Sequence, residues 1–256
     1  MIAAGRQRIG LALGGGVARG LAHIGVLSVL ERTGVTIDCV AGTSAGSIMG
    51  AAYCAGLGLE RIREEAARLR WHHIASLVWP SRGLFSFDKL ERWAVNKLGD
   101  ITFADLKIPF AAVATDMRTG EPVVLCKGRV APAVRASCSF PGLVTPIELE
   151  GRLLCDGFVS DILPVSAVRA MGADYVIGVD ILAPAIRPYL GALGYGIVGI
   201  EIMAQRAGQG CEQADCLISP DLAGVSYLRL DHKKLIALGE RAAEEKLSII
   251  QAALSH

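Results

Sequence analysis

A serine sits midway between two glycines in Gly42-Thr43-Ser44-Ala45-Gly46, within VAGTSAGSIMGAAYCAGL. Glycines two before and two after the serine let the backbone turn sharply and let the next helix pack closely, leaving Oγ exposed at the helix start. A helix N-terminus adds unpaired N–H groups and a dipole that favours developing negative charge. These are the conditions for a nucleophilic serine. A serine N-cap on a close-packed helix has the same five letters, so the pentapeptide alone leaves both readings open.

Two further groups would complete such a site. The run GGGVARG, Gly14 to Gly20, contains three consecutive glycines that can aim several N–H groups at one oxygen, as an oxyanion hole or phosphate cradle does. With Asp38 eighteen residues after Gly20, the run could instead be a dinucleotide fingerprint. That fingerprint needs its acid at the end of the second strand, and Asp38 precedes the strand. For a base, the histidines are His23, His72, His73, His232 and His256. Only His232, late in the chain, is placed as a hydrolase triad base would be, and its setting RLDHKKL reads as a polar helix start. Asp156 in LLCDGFVSDILP is the other candidate: it ends an apolar strand beside a glycine, where a carboxylate can project into a site or merely cap a turn.

The elements that must carry these residues alternate. Ile9 to Leu13 reads as a buried strand and Ala18 to Arg32 as a helix with Leu21, Ile24, Leu27 and Leu30 on one face, closed by Gly34. Cys39 to Ala41 is a short strand feeding the serine turn and a helix ending near Gly56. Strand, helix, strand, helix implies a parallel sheet with helices on both faces. LERIREEAARLR (59–70) reads as a charged exposed helix, and WHHIASLVWPSRGLFSF beyond it as irregular. Paired strands are expected around the turn 118–121 and around Gly151, a helix returning to a strand over 167–182, and an amphipathic helix over 234–254. The apolar, glycine-rich run from Tyr189 to Met203 reads first as a helix packed on the core, with a lid, an acyl-chain wall or a membrane-touching surface as the functional alternatives. Trp71 and Trp79 are surface candidates for lipid headgroups, against a default of core packing.

Composition bounds the class. The 256 residues are enough for one α/β domain with a sizeable core, and no linker or repeat divides them. A formal net charge of +1 without a polybasic run gives no footing for nucleic acid. Hydrophobic residues make up 52% and aromatics 5%, so Ala, Leu, Ile and Val fill the core, as buried sheets require. Seven scattered cysteines without a C-x-x-C pair point to a reduced, cytoplasmic setting rather than a disulfide or zinc scaffold. The apolar run after Arg6 and Arg8 is too short for a signal peptide, and no segment has the ~20 apolar residues of a spanning helix.

Taken together and in this order, GLALGGGVARGLAHIGVL, VAGTSAGSIMGAAY, RASCSFPGLVTP and DGFVSDILPV resemble the bacterial patatin-like phospholipases over about residues 8–182. The resemblance implies a three-layer α/β/α fold with a mainly parallel central sheet, as a single domain over 1–256 with a helical part from about 183. It implies a Ser44–Asp156 dyad, with Asp156 as base, and an oxyanion loop at Gly14, Gly15 and Gly16. The reaction it implies is hydrolysis of phospholipid or lysophospholipid acyl esters through an acyl-serine, without metal or organic cofactor. Arg19 could then hold a lipid phosphate or be structural, and peripheral membrane contact would suit the substrate. A Ser-His-Asp esterase or acyltransferase, and a catalytically impaired binding protein, are the alternatives. Three positions depart from the family's pattern: Val17 where a further glycine is common, Phe158 where a small residue follows Asp-Gly, and Asp161 where asparagine is common. The phenyl ring could narrow the acyl pocket.

Overall fold

The computed structural model describes residues 6–184, 191–223, 225 and 231–254. His256 and the start of the Tyr189–Met203 run lie outside the described residues. In chain order the elements are β1 (Ile9–Leu13), a 3-10 turn (Val17–Leu21), α1 (Ala22–Arg32), β2 (Cys39–Thr43), α2 (Ala45–Cys54), α3 (Leu59–Arg68) and α4 (Trp71–Ile74). There follow β3 (Ser76–Leu77), β4 (Phe85–Ser86), α5 (Asp88–Leu98), β5 (Phe110–Asp116), β6 (Pro122–Leu125), α6 (Val130–Ser137), β7 (Ile147–Leu149) and β8 (Arg152–Asp156). The chain continues through α7 (Val165–Ala170), β9 (Tyr175–Val179), α8 (Ala192–Arg206), α9 (Gly210–Gln213), β10 (Cys216–Ile218) and α10 (His232–Leu254).

One sheet of eight strands runs β10-β9-β1-β2-β5-β8-β7, with β6 also on β5. The five strands from β10 to β5 are parallel, and β6, β7 and β8 are antiparallel additions. Side-chain alternation sorts the strands onto two faces. Leu11, Leu13, Val40 and Ala112 join one core with α1, α2, α6 and α10, while Ala12, Cys39, Ala41 and Val113 join another with α7. This is the expected three-layer α/β/α architecture with a mainly parallel sheet.

The register of β5 explains how the site is assembled. Ala112 and Val113 pair both with β2 (Gly42, Thr43) and with β6 (Leu125, Val124). Ala114 pairs both with β6 (Val123) and with β8 (Asp156). A strand has only two edges, so β2 and β8 share one edge of β5, end to end, and β6 takes the other. Because β2 runs with β5 and β8 against it, their C-terminal ends meet head on: Thr43 lies opposite Val113 and Asp156 opposite Ala114.

The structure corrects three local readings. The helix expected from Ala18 begins as a 3-10 turn, and α1 proper starts at Ala22. The part after residue 183 is not purely helical, since Cys216–Ile218 adds the edge strand β10, three residues too short to show a period. The stretch after α3, expected to be irregular, holds α4 and the short β3–β4 pair. Among the described residues no helix is long and apolar enough to cross a membrane.

Candidate active site

Ser44 joins β2 to α2 with φ +52° and ψ −120°, a conformation costly for a residue with a Cβ. The surrounding glycines make the turn possible. A Cβ on Gly46 would lie 2.0 Å from the Leu13 carbonyl oxygen, and one on Gly42 would lie 2.4 Å from that of Gly46. Any side chain at either position would push α2 off the strand ends. The turn is further held by side chains: the Ser44 N–H donates to Ser137 Oγ at 2.8 Å, and Ser137 Oγ donates to the Val113 carbonyl at 2.6 Å. Ser47 Oγ donates to the Ser44 carbonyl at 2.7 Å.

The head-on junction of β2 and β8 brings Ser44 Oγ within 2.8 Å of Asp156 Oδ2, to which it donates. The other carboxylate oxygen, Oδ1, accepts the Phe158 N–H at 2.9 Å. The Asp156 main chain is fixed as well, its N–H donating to the Ser139 carbonyl at 2.9 Å and its carbonyl accepting from Thr115 Oγ1 at 2.9 Å. Asp156 is only 2% exposed. Burial pushes its carboxyl up to about 7, against the opposing pull of the Phe158 N–H and the Ser44 hydroxyl.

The glycine loop lies directly over the serine: a Cβ on Gly15 would sit 3.2 Å from Ser44 Cβ. Two of the three N–H groups expected to face an oxyanion are, however, already committed. Gly14 donates to the Val179 carbonyl at 3.0 Å and Gly15 to that of Ile162 at 3.1 Å. Gly16 and Val17 have no backbone acceptor among the described residues. Gly14 is also gripped from below by His23, whose Nε2 lies 2.8 Å from the Gly14 carbonyl. Burial depresses His23 to about 4, so the ring is neutral and Nε2–H is the donor.

Arg19 is not disposed as a phosphate ligand. Its side chain is 1% exposed and donates to main-chain carbonyls: Nη1 to Ala183 at 3.0 Å, Nη2 to Leu222 at 3.2 Å and to Val225 at 2.8 Å. The guanidinium fastens the segments after β9 and β10 beneath the glycine loop. His232 does not meet Ser44 either; its Nε2 lies 2.9 Å from the Ala66 carbonyl of α3. Asp38 accepts from the Ile9 N–H at 2.7 Å and pairs with Arg6, at the end of β1 opposite the glycine loop. The dinucleotide reading therefore fails on position. Phe158 turns into the core, its ring edge-on to Phe140 with centroids 5.2 Å apart.

Ser137 and His23 are the supporting residues that sequence reasoning missed. Ser137 lies inside RASCSFPG, where its type and place were visible but its partner in the turn after β2 was not. His23 follows the glycine loop by one 3-10 turn, a spacing that could have suggested a contact back to it.

A strained serine elbow, a buried carboxylate at its hydroxyl and a glycine loop thus lie together where β2 and β8 end against β5 in a three-layer α/β/α fold. The family model for patatin-like phospholipases matches residues 11–169, more than half of the chain, and the protein belongs to that family. An uncharacterized NTE family protein of Mycobacterium tuberculosis is 37% identical over 177 residues, covering 68% of this chain and 49% of that protein. The lysophospholipase NTE1 of Saccharomyces cerevisiae is 33% identical over 181 residues, covering 68% of this chain and 11% of that protein. The chain thus spans about half or less of the curated relatives it matches. In fold it is similar to VipD of Legionella pneumophila, with a TM-score of 0.62 at 13% identity over 96% of this chain and 67% of that one. ExoU of Pseudomonas aeruginosa gives a TM-score of 0.52 at 16% identity over 98% of this chain and 53% of that one.

Proposed function

We propose that this protein is a lipid acyl hydrolase that cleaves phospholipid or lysophospholipid esters through an acyl-serine on Ser44, with Asp156 as general base. The observation that carries the reading is the 2.8 Å hydrogen bond from Ser44 Oγ to Asp156 Oδ2 at a strained elbow. Membership of the patatin-like phospholipase family, and the lysophospholipase name borne by relatives, support the substrate class.

The Asp156 carboxylate takes the Ser44 hydroxyl proton as Oγ attacks the ester carbonyl. The N–H groups of Gly16 and Val17, with that of Ala45 after the nucleophile, receive the oxyanion, where a single lost donor typically costs about 3 kcal/mol. The tetrahedral intermediate expels the alcohol, which carries off the proton held by Asp156, and leaves the acyl-serine. Water then attacks, giving its proton to Asp156, and Ser44 regains a proton as the fatty acid departs. A carboxylate near pKa 7 is a far better base at neutral pH than a solvated one, which is what burial of Asp156 supplies.

The test is a fluorophosphonate probe with p-nitrophenyl acyl ester turnover. The expected result is labelling at Ser44, no turnover in Ser44→Ala or Asp156→Asn, and near-normal turnover in His232→Ala. Loss of turnover in His232→Ala would overturn the dyad, and absence of labelling in folded protein would overturn the enzyme.

A further inference from the structure

The chain carries an apolar prominence that the chemistry above does not use. Trp79 and Leu77 are 86% and 80% exposed, and Leu84 and Leu143 beside them are 47% and 46% exposed. They belong to one small unit. Val78 N–H donates to the Leu84 carbonyl at 3.2 Å, and the N–H groups of Leu84 and Phe85 both donate to the Leu143 carbonyl at 2.9 Å. The β3–β4 hairpin is thereby stitched to the segment that follows α6. That same segment reaches the site, where Ser139 accepts the Asp156 N–H and Phe140 packs on Phe158.

The sequence flanking this prominence is basic, with Glu64 near Arg68 and Glu148 near Arg82 as the acidic neighbours. Between Glu65 and Asp88 the sequence holds Arg68, Arg70, Arg82, His72 and His73 and no acidic residue. All five are exposed. Across the hairpin, Arg82 faces Glu148 at 3.5 Å, with both side chains more than half exposed and so weakly coupled. An exposed tryptophan flanked in sequence by exposed arginines matches the boundary of an anionic bilayer, which takes the ring at headgroup depth and attracts the cations. A second copy docked through the same patch would set these arginines against their own images.

We propose that the β3–β4 hairpin is a docking element for an anionic lipid surface, with Leu77 and Trp79 inserted and Arg70 and Arg82 on the headgroups. This goes beyond the hydrolytic reading and does not depend on it, because docking needs no reaction at Ser44. It ties the docked hairpin to the Asp156-bearing end of the sheet through the segment that follows α6.

The experiment is co-sedimentation of the 256-residue chain carrying Ser44→Ala, which keeps vesicles intact, with phosphatidylcholine vesicles with and without phosphatidylglycerol. Binding is expected to need phosphatidylglycerol and to weaken at high salt. Leu77→Ser with Trp79→Ser should lower partitioning about tenfold or more at an unchanged thermal midpoint. Arg82→Ser alone should lower it about fivefold at low salt and little at high salt. Equal binding by the double variant and its parent would overturn the proposal. So would equal binding to neutral and anionic vesicles, or a dimer without vesicle binding that the double variant dissolves. Fluorophosphonate labelling in solution of the chain with Ser44 intact reads the Ser44 chemistry separately from either outcome.

Discussion

Ser44 and Asp156 meet because β2 and β8 end head to head on one edge of β5, which puts Oγ and Oδ2 2.8 Å apart without a loop between them. Both groups are carried by strand ends in the middle of the sheet, so the pair is as rigid as the sheet. Positions of this kind hold a productive geometry better than loop-borne ones.

The state of Asp156 should set the pH dependence of turnover. Its carboxyl is raised to about 7 by burial, and only the ionised form can accept the serine proton. Protonated enzyme therefore dominates below that value, and kcat/KM for a p-nitrophenyl ester should rise with pH through about 7 and then level off. A profile flat from pH 5 to 9, measured at a constant fraction of folded protein, would contradict this role.

Ser137 should act on rate through the elbow it holds. Ser137→Ala leaves the Ser44 N–H without its acceptor and the Val113 carbonyl without its donor, at a cost of about 1–3 kcal/mol of stability. Because the serine is fully buried and touches no solvent, KM should stay near its parent value while kcat falls about tenfold or more. A fall confined to stability, with unchanged kcat at a temperature where the variant is folded, would reduce Ser137 to a packing role.

Val17 stands at φ +52°, a region that suits glycine and strains a β-branched residue. Val17→Gly removes that strain while loosening the unfolded chain, so the net change in stability should lie within about 1 kcal/mol. Slower fluorophosphonate labelling of Val17→Gly would show that the valine stiffens a loop the oxyanion depends on. Equal labelling would assign its N–H no special rigidity.

Asp161 should penalise the folded protein at alkaline pH. It is buried, its Oδ2 accepts from Ser166 at 3.2 Å, and Oδ1 has no hydrogen-bond partner among the described residues. Burial raises its carboxyl to about 7, so the folded state binds a proton more tightly than the unfolded chain. Its stabilising contribution is complete below the ordinary carboxylate range and is lost as pH rises through about 7, a swing of up to about 4 kcal/mol. Asp161→Asn should raise the thermal midpoint at pH 8 far more than at pH 4, leaving the kcat/KM midpoint in place. An equal gain at both pH values would show that ionisation is not the cause.

Much of the candidate site was legible in sequence because its parts are local: a pentapeptide for the elbow, three glycines in a row, an aspartate ending an apolar strand. The layers followed from the alternation of strand and helix. What could not be read was pairing at a distance. Nothing in the letters from Arg152 to Asp156 says that β8 shares an edge of β5 with β2, and that register alone brings the carboxylate to the serine. The same blindness left Arg19 open between a phosphate contact and a structural role, whereas the fold binds its guanidinium to carbonyls more than 160 positions away.

The Arg19 fastening bears on how freely the rest of the chain can change. Ala183, Leu222 and Val225 meet it through carbonyl oxygens, which every amino acid possesses. Substitutions at these three sites would alter shape and packing but not the chemistry of the tether. The segments that follow β9 and β10 can therefore change side chains at these positions while staying fastened to the residue that follows the glycine loop.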